Sequence, residues 1–85
     1  MIKTTGNGYE VHSEDGLGYL TVATTSKRAI GLAFFVPEAD RGKGIGTALY
    51  QEAYDEAKRR GLEWETGRWN TPAIKKIRAK VVTLA

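Results

Sequence analysis

Arg41-Gly42-Lys43-Gly44-Ile45-Gly46 sets two cations among three alternating glycines, and the Thr47 hydroxyl follows directly. Residues of these types in this order suit an anion. Glycine lets the backbone come close to a ligand and turn its N–H groups inward. A helix that starts inside such a stretch adds unpaired N–H groups and the positive end of its dipole. A diphosphate fits that arrangement. Three other nucleic-acid or phosphate loops do not match. GxxxxGK[ST] fails because Gly44 follows Gly42-Lys43 and Pro37 stands at the upstream glycine position. GxGxxG fails because Gly42-x-Gly44 leads to Thr47 and Gly44-x-Gly46 leads to Leu49. No two glycines of the stretch are spaced for a GxxG loop.

The loop needs a strand before it and a helix after it. Ala29 to Val36 is a continuous apolar run of strand length, and apolar residues on both faces predict a central strand covered on both sides. Pro37 ends it. Ile45, Leu49, Ala53 and Ala57 recur at i+4, which predicts a helix from about Ile45 to Arg60. Lys58, Arg59 and Arg60 suit its negative end, and Gly61 is a natural stop. Leu62 to Thr66 alternates as a short strand. Strand, loop, helix and strand make a crossover whose strands run parallel. Upstream, Tyr9 to His12 and Leu17 to Thr24 alternate around the turn residues Glu14-Asp15-Gly16, so they read as an antiparallel hairpin. In the second strand, Leu20 and Val22 share one face, and Leu17, Tyr19, Thr21 and Ala23 the other. Asn70-Thr71-Pro72 opens a last helix with Ala73, Ile74 and Ile77 on its apolar side. Val81 to Ala85 reads as a final strand or a frayed tail. The fold class is α+β with an α/β-like core: one domain over residues 1–85, with a mixed, mostly antiparallel sheet of four to five strands.

Composition narrows the function. The chain has 85 residues, a net charge of +3, no cysteine and one histidine, His12. Thiolate chemistry and disulfides are excluded, and neither a His cluster nor a calcium loop is present, so no metal is expected. No apolar run approaches membrane-spanning length, and the N-terminus lacks the core of a secretory leader. A cytoplasmic location is the default expectation, with no membrane partner. The mild positive charge favours a polyanionic ligand. Nucleic acid is not expected, because neither an RNP-type aromatic pattern nor a helix-turn-helix signal accompanies it.

The stretch Val36-Pro37-Glu38-Ala39-Asp40-Arg41-Gly42-Lys43-Gly44-Ile45-Gly46-Thr47-Ala48-Leu49 resembles motif A of the GNAT acetyltransferase superfamily. The step from Pro37 to Arg41 is one longer than in many members, and it is similar to the miniature GNAT-like N-acetyltransferase proteins of about this length. The resemblance implies a minimal GNAT fold that binds acetyl-CoA or CoA as substrate. Arg41, Gly42, Lys43, Gly44, Gly46 and Thr47 would then contact the pyrophosphate, and Phe35 and Val36 would line the pantetheine arm. Asn70 and Ala73 are similar to the N-x-x-A start of the family's next helix, where the Asn often bonds the arm.

Acyl transfer to an amine needs a neutral amine, a polarised carbonyl and a protonated leaving thiolate. A backbone N–H near Val36 is the family's means of polarising the carbonyl. Glu65 is the candidate base, acting through water, with Glu63, Glu38 and His12 as weaker alternatives. The family's usual acid, a Tyr four positions after the N-x-x-A alanine, is replaced here by Ile77. Tyr50 and Tyr54 lie on the motif helix and read as structural, and Trp64 and Trp69 as packing residues. Two readings follow: an acetyl-CoA-dependent N-acetyltransferase with an unknown amine acceptor, or a reduced module that binds CoA or a protein without efficient transfer. Unpaired edges on so small a sheet invite a homodimer.

Overall fold

A computed structural model describes residues 1–65. The expected last helix, with Asn70, Ala73 and Ile77, lies outside them, as do Trp69 and the segment Val81 to Ala85. Five strands form one sheet in chain order: β1 (Ile2–Thr5), β2 (Gly8–His12), β3 (Tyr19–Thr24), β4 (Arg28–Phe35) and β5 (Glu63–Glu65). The first four are antiparallel neighbours, and β5 runs parallel to β4 with Arg28 opposite Glu63 and Ile30 opposite Glu65. The parallel pair is the crossover that the loop and helix pattern requires. β1 is the strand the pattern did not mark: Ile2 is its one apolar residue. It holds its place through pairing with β2, from Ile2 opposite Val11 to Thr5 opposite Gly8.

Among the described residues one α-helix, α1 (Ile45–Arg59), packs on one face of the sheet. Tyr9, Val11, Leu20, Val22 and Ala29 from the strands meet Leu49, Tyr50, Ala53 and Ala57 from α1. Leu20 and Val22 point inward as their alternation predicts. Leu17 falls in the turn before β3 and is 60% exposed, because the strand begins only at Tyr19. The helix stops as its sequence predicts. Gly61 takes a left-handed φ of 73°, its N–H donates to Lys58 O, and the Leu62 N–H reaches back to Ala57 O at 2.8 Å. Leu62 then packs against the core.

Near α1's C-terminus a polar network fastens β1 and β2. The Tyr9 hydroxyl donates to Ala53 O at 2.6 Å, and the Arg60 guanidinium lies 4.6 Å from the Tyr9 ring centroid. Glu56, nearly buried, accepts from both Arg59 and Arg60, and Arg60 also donates to the Thr4 hydroxyl at 3.1 Å. Burial pushes the Tyr9 phenol well above its ordinary value; Arg60 opposes that shift and Glu56 adds to it.

β4 carries an irregularity that matters for the site. Thr21 pairs with Ala33, but Val22 pairs with Gly31, so Leu32 is an extra residue on β4, a β-bulge. The Ala33 N–H donates to the Thr21 hydroxyl at 3.1 Å. The bulge changes the phase of the strand. Ala29 and Gly31 face the core, and beyond the bulge it is Phe34 and Val36 that pack on it. The expectation of cover on both faces meets a mixed result among the described residues. α1 covers the inner face, while Leu32 and Phe35 on β4 are 61% and 43% exposed.

Candidate functional site

After β4, the chain makes one 3₁₀ turn at Glu38–Asp40 and then the glycine loop. The turn closes through Asp40 N–H to Pro37 O at 2.9 Å and Arg41 N–H to Glu38 O at 3.2 Å. The Arg41 Nε donates to Val36 O at 3.1 Å, which ties the exposed side chain back to the end of β4. Lys43 Nζ stands 3.9 Å from Asp40 Oδ1 and is largely exposed.

Gly42 and Gly44 have φ of 80° and 81°, the left-handed region that other residues enter at a cost. A Cβ at either would meet nothing within 4 Å. Conformation, not crowding, therefore demands glycine there, and the space beside the loop is open. Gly44 is the N-cap of α1, yet no side chain caps the helix and no acidic residue lies in its first turn. The first bond inside the helix runs from Ala48 N–H to Gly44 O at 3.0 Å, so the amides of Ile45, Gly46 and Thr47 have no intrahelical acceptor. Of the residues favoured at that position, Ser, Thr, Asp and Asn offer these amides a side-chain acceptor and Gly offers none. Here that acceptor is missing at the mouth of a basic, open loop. Amides left open in this way are donors of the kind that anions accept from.

Arg41, Gly42, Lys43, Gly44, Gly46 and Thr47 are thus brought to one end of α1, beside the Phe35 and Val36 end of β4. Glu65 is elsewhere. It is level with Ile30 on β4, half-exposed, with Oε1 3.8 Å from Arg28 Nη1. Phe35 lies five residues further along β4, roughly 17 Å at the usual strand rise. Tyr50 is fully buried and accepts the Trp64 indole N–H at 2.8 Å, with the rings edge to face at 5.4 Å. Both are packing residues, as expected. The His12 ring nitrogen Nε2 is 3.0 Å from Glu10 Oε1. Among the described residues no group of three or more His, Asp or Glu side chains is placed to hold a metal ion. No described helix is long and apolar enough to cross a membrane.

The sequence did not reveal the turn between β2 and β3 as a neighbour of the loop. The Ser13 hydroxyl donates to Asp15 Oδ1 at 2.6 Å, the Leu17 N–H donates to the same oxygen at 2.9 Å, and the Gly18 N–H donates to Ser13 Oγ at 2.9 Å. These bonds, the Ser13 hydroxyl above all, hold the Asp15 carboxyl below its ordinary value. Ser13, Glu14 and Asp15 of the turn border the same space as Ile45 and Ala48 at the start of α1, directly after the loop.

The profile of the acetyltransferase (GNAT) family matches residues 9–78, most of the chain. The chain belongs to that family. Its mixed five-stranded sheet with a helix following β4 is the family's α+β architecture in minimal form. Members of the GNAT family are in general acyltransferases that use acetyl-CoA. No curated protein and no solved structure matches the chain.

Proposed function

We propose that this GNAT protein binds acyl-CoA through Arg41 to Thr47 and transfers the acyl group to an amine. The observation that carries the reading is the uncapped start of α1 behind two left-handed glycines. The amides of Ile45, Gly46 and Thr47 and the cations of Arg41 and Lys43 supply the donors that a pyrophosphate requires. The bulge at Leu32 bends β4 just past its paired segment with β5, which favours a gap for the pantetheine arm along Phe35 and Val36. In the transfer, the amine nitrogen attacks the thioester carbonyl, the C–S bond breaks, and the proton lost from nitrogen ends on the CoA thiol. Positioning does most of the work in such a site. Asn70 and Ala73 are proposed to meet the arm, and Glu65, level with Ile30 and beside Arg28, stands too far from the Phe35 end of β4 to serve as base through one water.

The test is direct, because a chain without cysteine gives no background with a thiol reagent. Calorimetry with acetyl-CoA and thiol release across an amine panel should both be positive. Glu65→Gln should leave both turnover and CoA affinity unchanged, because Glu65 lies at the far end of the β4–β5 pair. Binding without thiol release would favour the second reading, a CoA-binding module, for which Ile77 at the family's acid position is the supporting observation. No CoA binding at all would remove both.

A further inference from the structure

With Glu65 remote, the transfer lacks a base, and the face of the sheet turned away from α1 supplies one. Tyr9, Val11, Leu20, Phe34 and Val36 pack on the core beneath α1, so the residues alternating with them point the other way. Three of these form a row across β2, β3 and β4: His12 is opposite Tyr19, and Tyr19 is opposite Phe35. Their rings are neighbours. The His12 and Tyr19 ring centroids are 6.5 Å apart, and those of Tyr19 and Phe35 5.7 Å. The row begins at a titratable pair, Glu10 and His12, and ends at the strand end proposed to line the acyl-CoA arm.

The pair has the arrangement a base needs. His12 Nε2 lies 3.0 Å from Glu10 Oε1. A carboxylate only accepts, so this bond assigns the ring hydrogen to Nε2 and leaves Nδ1 with its lone pair. Glu10 also favours the imidazolium that forms once Nδ1 takes a proton. The two side chains are 31% and 33% exposed, so that proton has a way out to solvent. Among the described residues, the titratable and charged groups facing the pair from the adjoining strands are Lys3, opposite Glu10, and Tyr19, opposite His12; the Met1 amino group donates to the His12 carbonyl. An amine over the Tyr19 ring, beside Phe35, is one ring spacing from His12. A bridging water joins atoms roughly 5.5–6 Å apart, which suits that spacing. Glu65 and Glu63 lie beyond such a bridge, level with Ile30 and Arg28 at the other end of β4.

We infer that His12, oriented by Glu10, is the base of the transfer and acts through one water on an acceptor amine held over Tyr19. The inference rests on the acyl-transfer reading and deepens it. His12 Nδ1 takes one proton from the acceptor's ammonium through the water, and the freed nitrogen bonds to the thioester carbonyl carbon. The C–S bond breaks, a second proton leaves the nitrogen for the thiolate sulfur, and His12 returns its own proton to solvent. Ammonium and acyl-CoA thus give amide, CoA thiol and one proton. Glu10 is a positioning residue, which fixes the tautomer of the ring and touches no substrate.

One histidine gives one set of imidazole signals, so NMR of the whole protein reads the row directly. The neutral ring should carry its hydrogen on Nε2, and acetyl-CoA should shift the ring signals of His12, Tyr19 and Phe35. Thiol release with the amine turned over fastest then measures the role. His12→Ala should lower kcat about 100-fold with the KM for acetyl-CoA within about twofold, and added imidazole should restore part of the loss. The rise of kcat with pH in the parent should vanish in that variant. Glu10→Gln should lower kcat about fivefold and move the rise to lower pH, because the imidazolium has lost its carboxylate. Circular dichroism shows that both variants are folded. Ring signals that stay still while acetyl-CoA binds, or a kcat and pH rise that survive His12→Ala, overturn the inference and leave the acyl-transfer reading standing. Acetyl-CoA that binds without thiol release from any amine also overturns it, since no transfer is left for a base to serve. Failure of acetyl-CoA to bind removes the acyl-transfer reading and this inference together.

Discussion

Replacing Gly44 with glutamate or with asparagine separates the two roles of the loop. Gly44 has φ 81° and open space where a side chain would grow, so a clash does not enter. Both variants carry the left-handed strain, ~1–2 kcal/mol for an ordinary residue and less for Asn, which tolerates that region. For a domain of this size, that lowers the melting temperature by ~4–15 °C. The variants differ in charge. A carboxylate ~6 Å from a phosphate repels it by ~3 kcal/mol at an effective dielectric near 20, and solvent and salt at this exposed loop reduce that to ~1–2 kcal/mol. The expected loss of CoA affinity for Gly44→Glu is thus ~5–30-fold, shrinking as salt rises, against less than ~threefold for Gly44→Asn. Calorimetry at low and high salt reads both, with circular dichroism to show that each variant is folded at the assay temperature. If folded Gly44→Glu binds CoA as the parent does, the diphosphate is not at this loop.

Gly8→Ala should fail for the opposite reason to any change at Gly44. Its Cβ would lie 2.1 Å from Val22 O, backbone that cannot yield, so the β2–β3 pairing should be lost at a cost above ~3 kcal/mol, seen as a collapsed melting temperature. Tyr9→Phe removes a buried donor to Ala53 O and should cost ~1–2 kcal/mol in urea unfolding. The phenol of Tyr9 is held protonated by burial, so its stabilisation is present below the ordinary value of 10.0 and is lost as pH rises above it. The parent should therefore lose more stability than Tyr9→Phe between about pH 8 and about pH 11. The Asp15 carboxyl should titrate below 3.8 by carboxyl NMR, and in Ser13→Ala it should move back up toward that value. The turn's stabilisation through Asp15 is present above its ordinary value and fades as pH falls through the lowered one.

Much of this was legible in the sequence. The i+4 series from Ile45 to Ala57 and the stop at Gly61 place α1 within a residue, because burial and capping both act locally. The loop was legible because its glycines are needed for backbone conformation, which composition records. The bulge at Leu32 was not. Ala29 to Val36 is apolar in either phase, so alternation carries no sign of a slipped residue, and only the three-residue gap between inward Gly31 and Phe34 hints at it. β1 was missed because a strand with one apolar residue is placed by its partner's hydrogen bonds. That the β2–β3 turn comes close to α1 was out of reach for another reason: Glu14 and Glu52 are far apart in the chain, and nothing local says that they border the same space.

The strand order, identical to chain order, also bears on how the protein is made. β1 to β4 form a succession of hairpins, each able to pair as soon as it emerges during synthesis, with little loop to close. The inner face of that meander, with Tyr9, Val11, Leu20 and Val22, has no cover until α1 has been synthesised as far as Ala57. A nascent chain paused within the glycine loop would expose a paired sheet with one bare apolar side, the kind of species on which chaperones act. Codon choice between Pro37 and Ala57 should therefore alter soluble yield more than the same change made in β1.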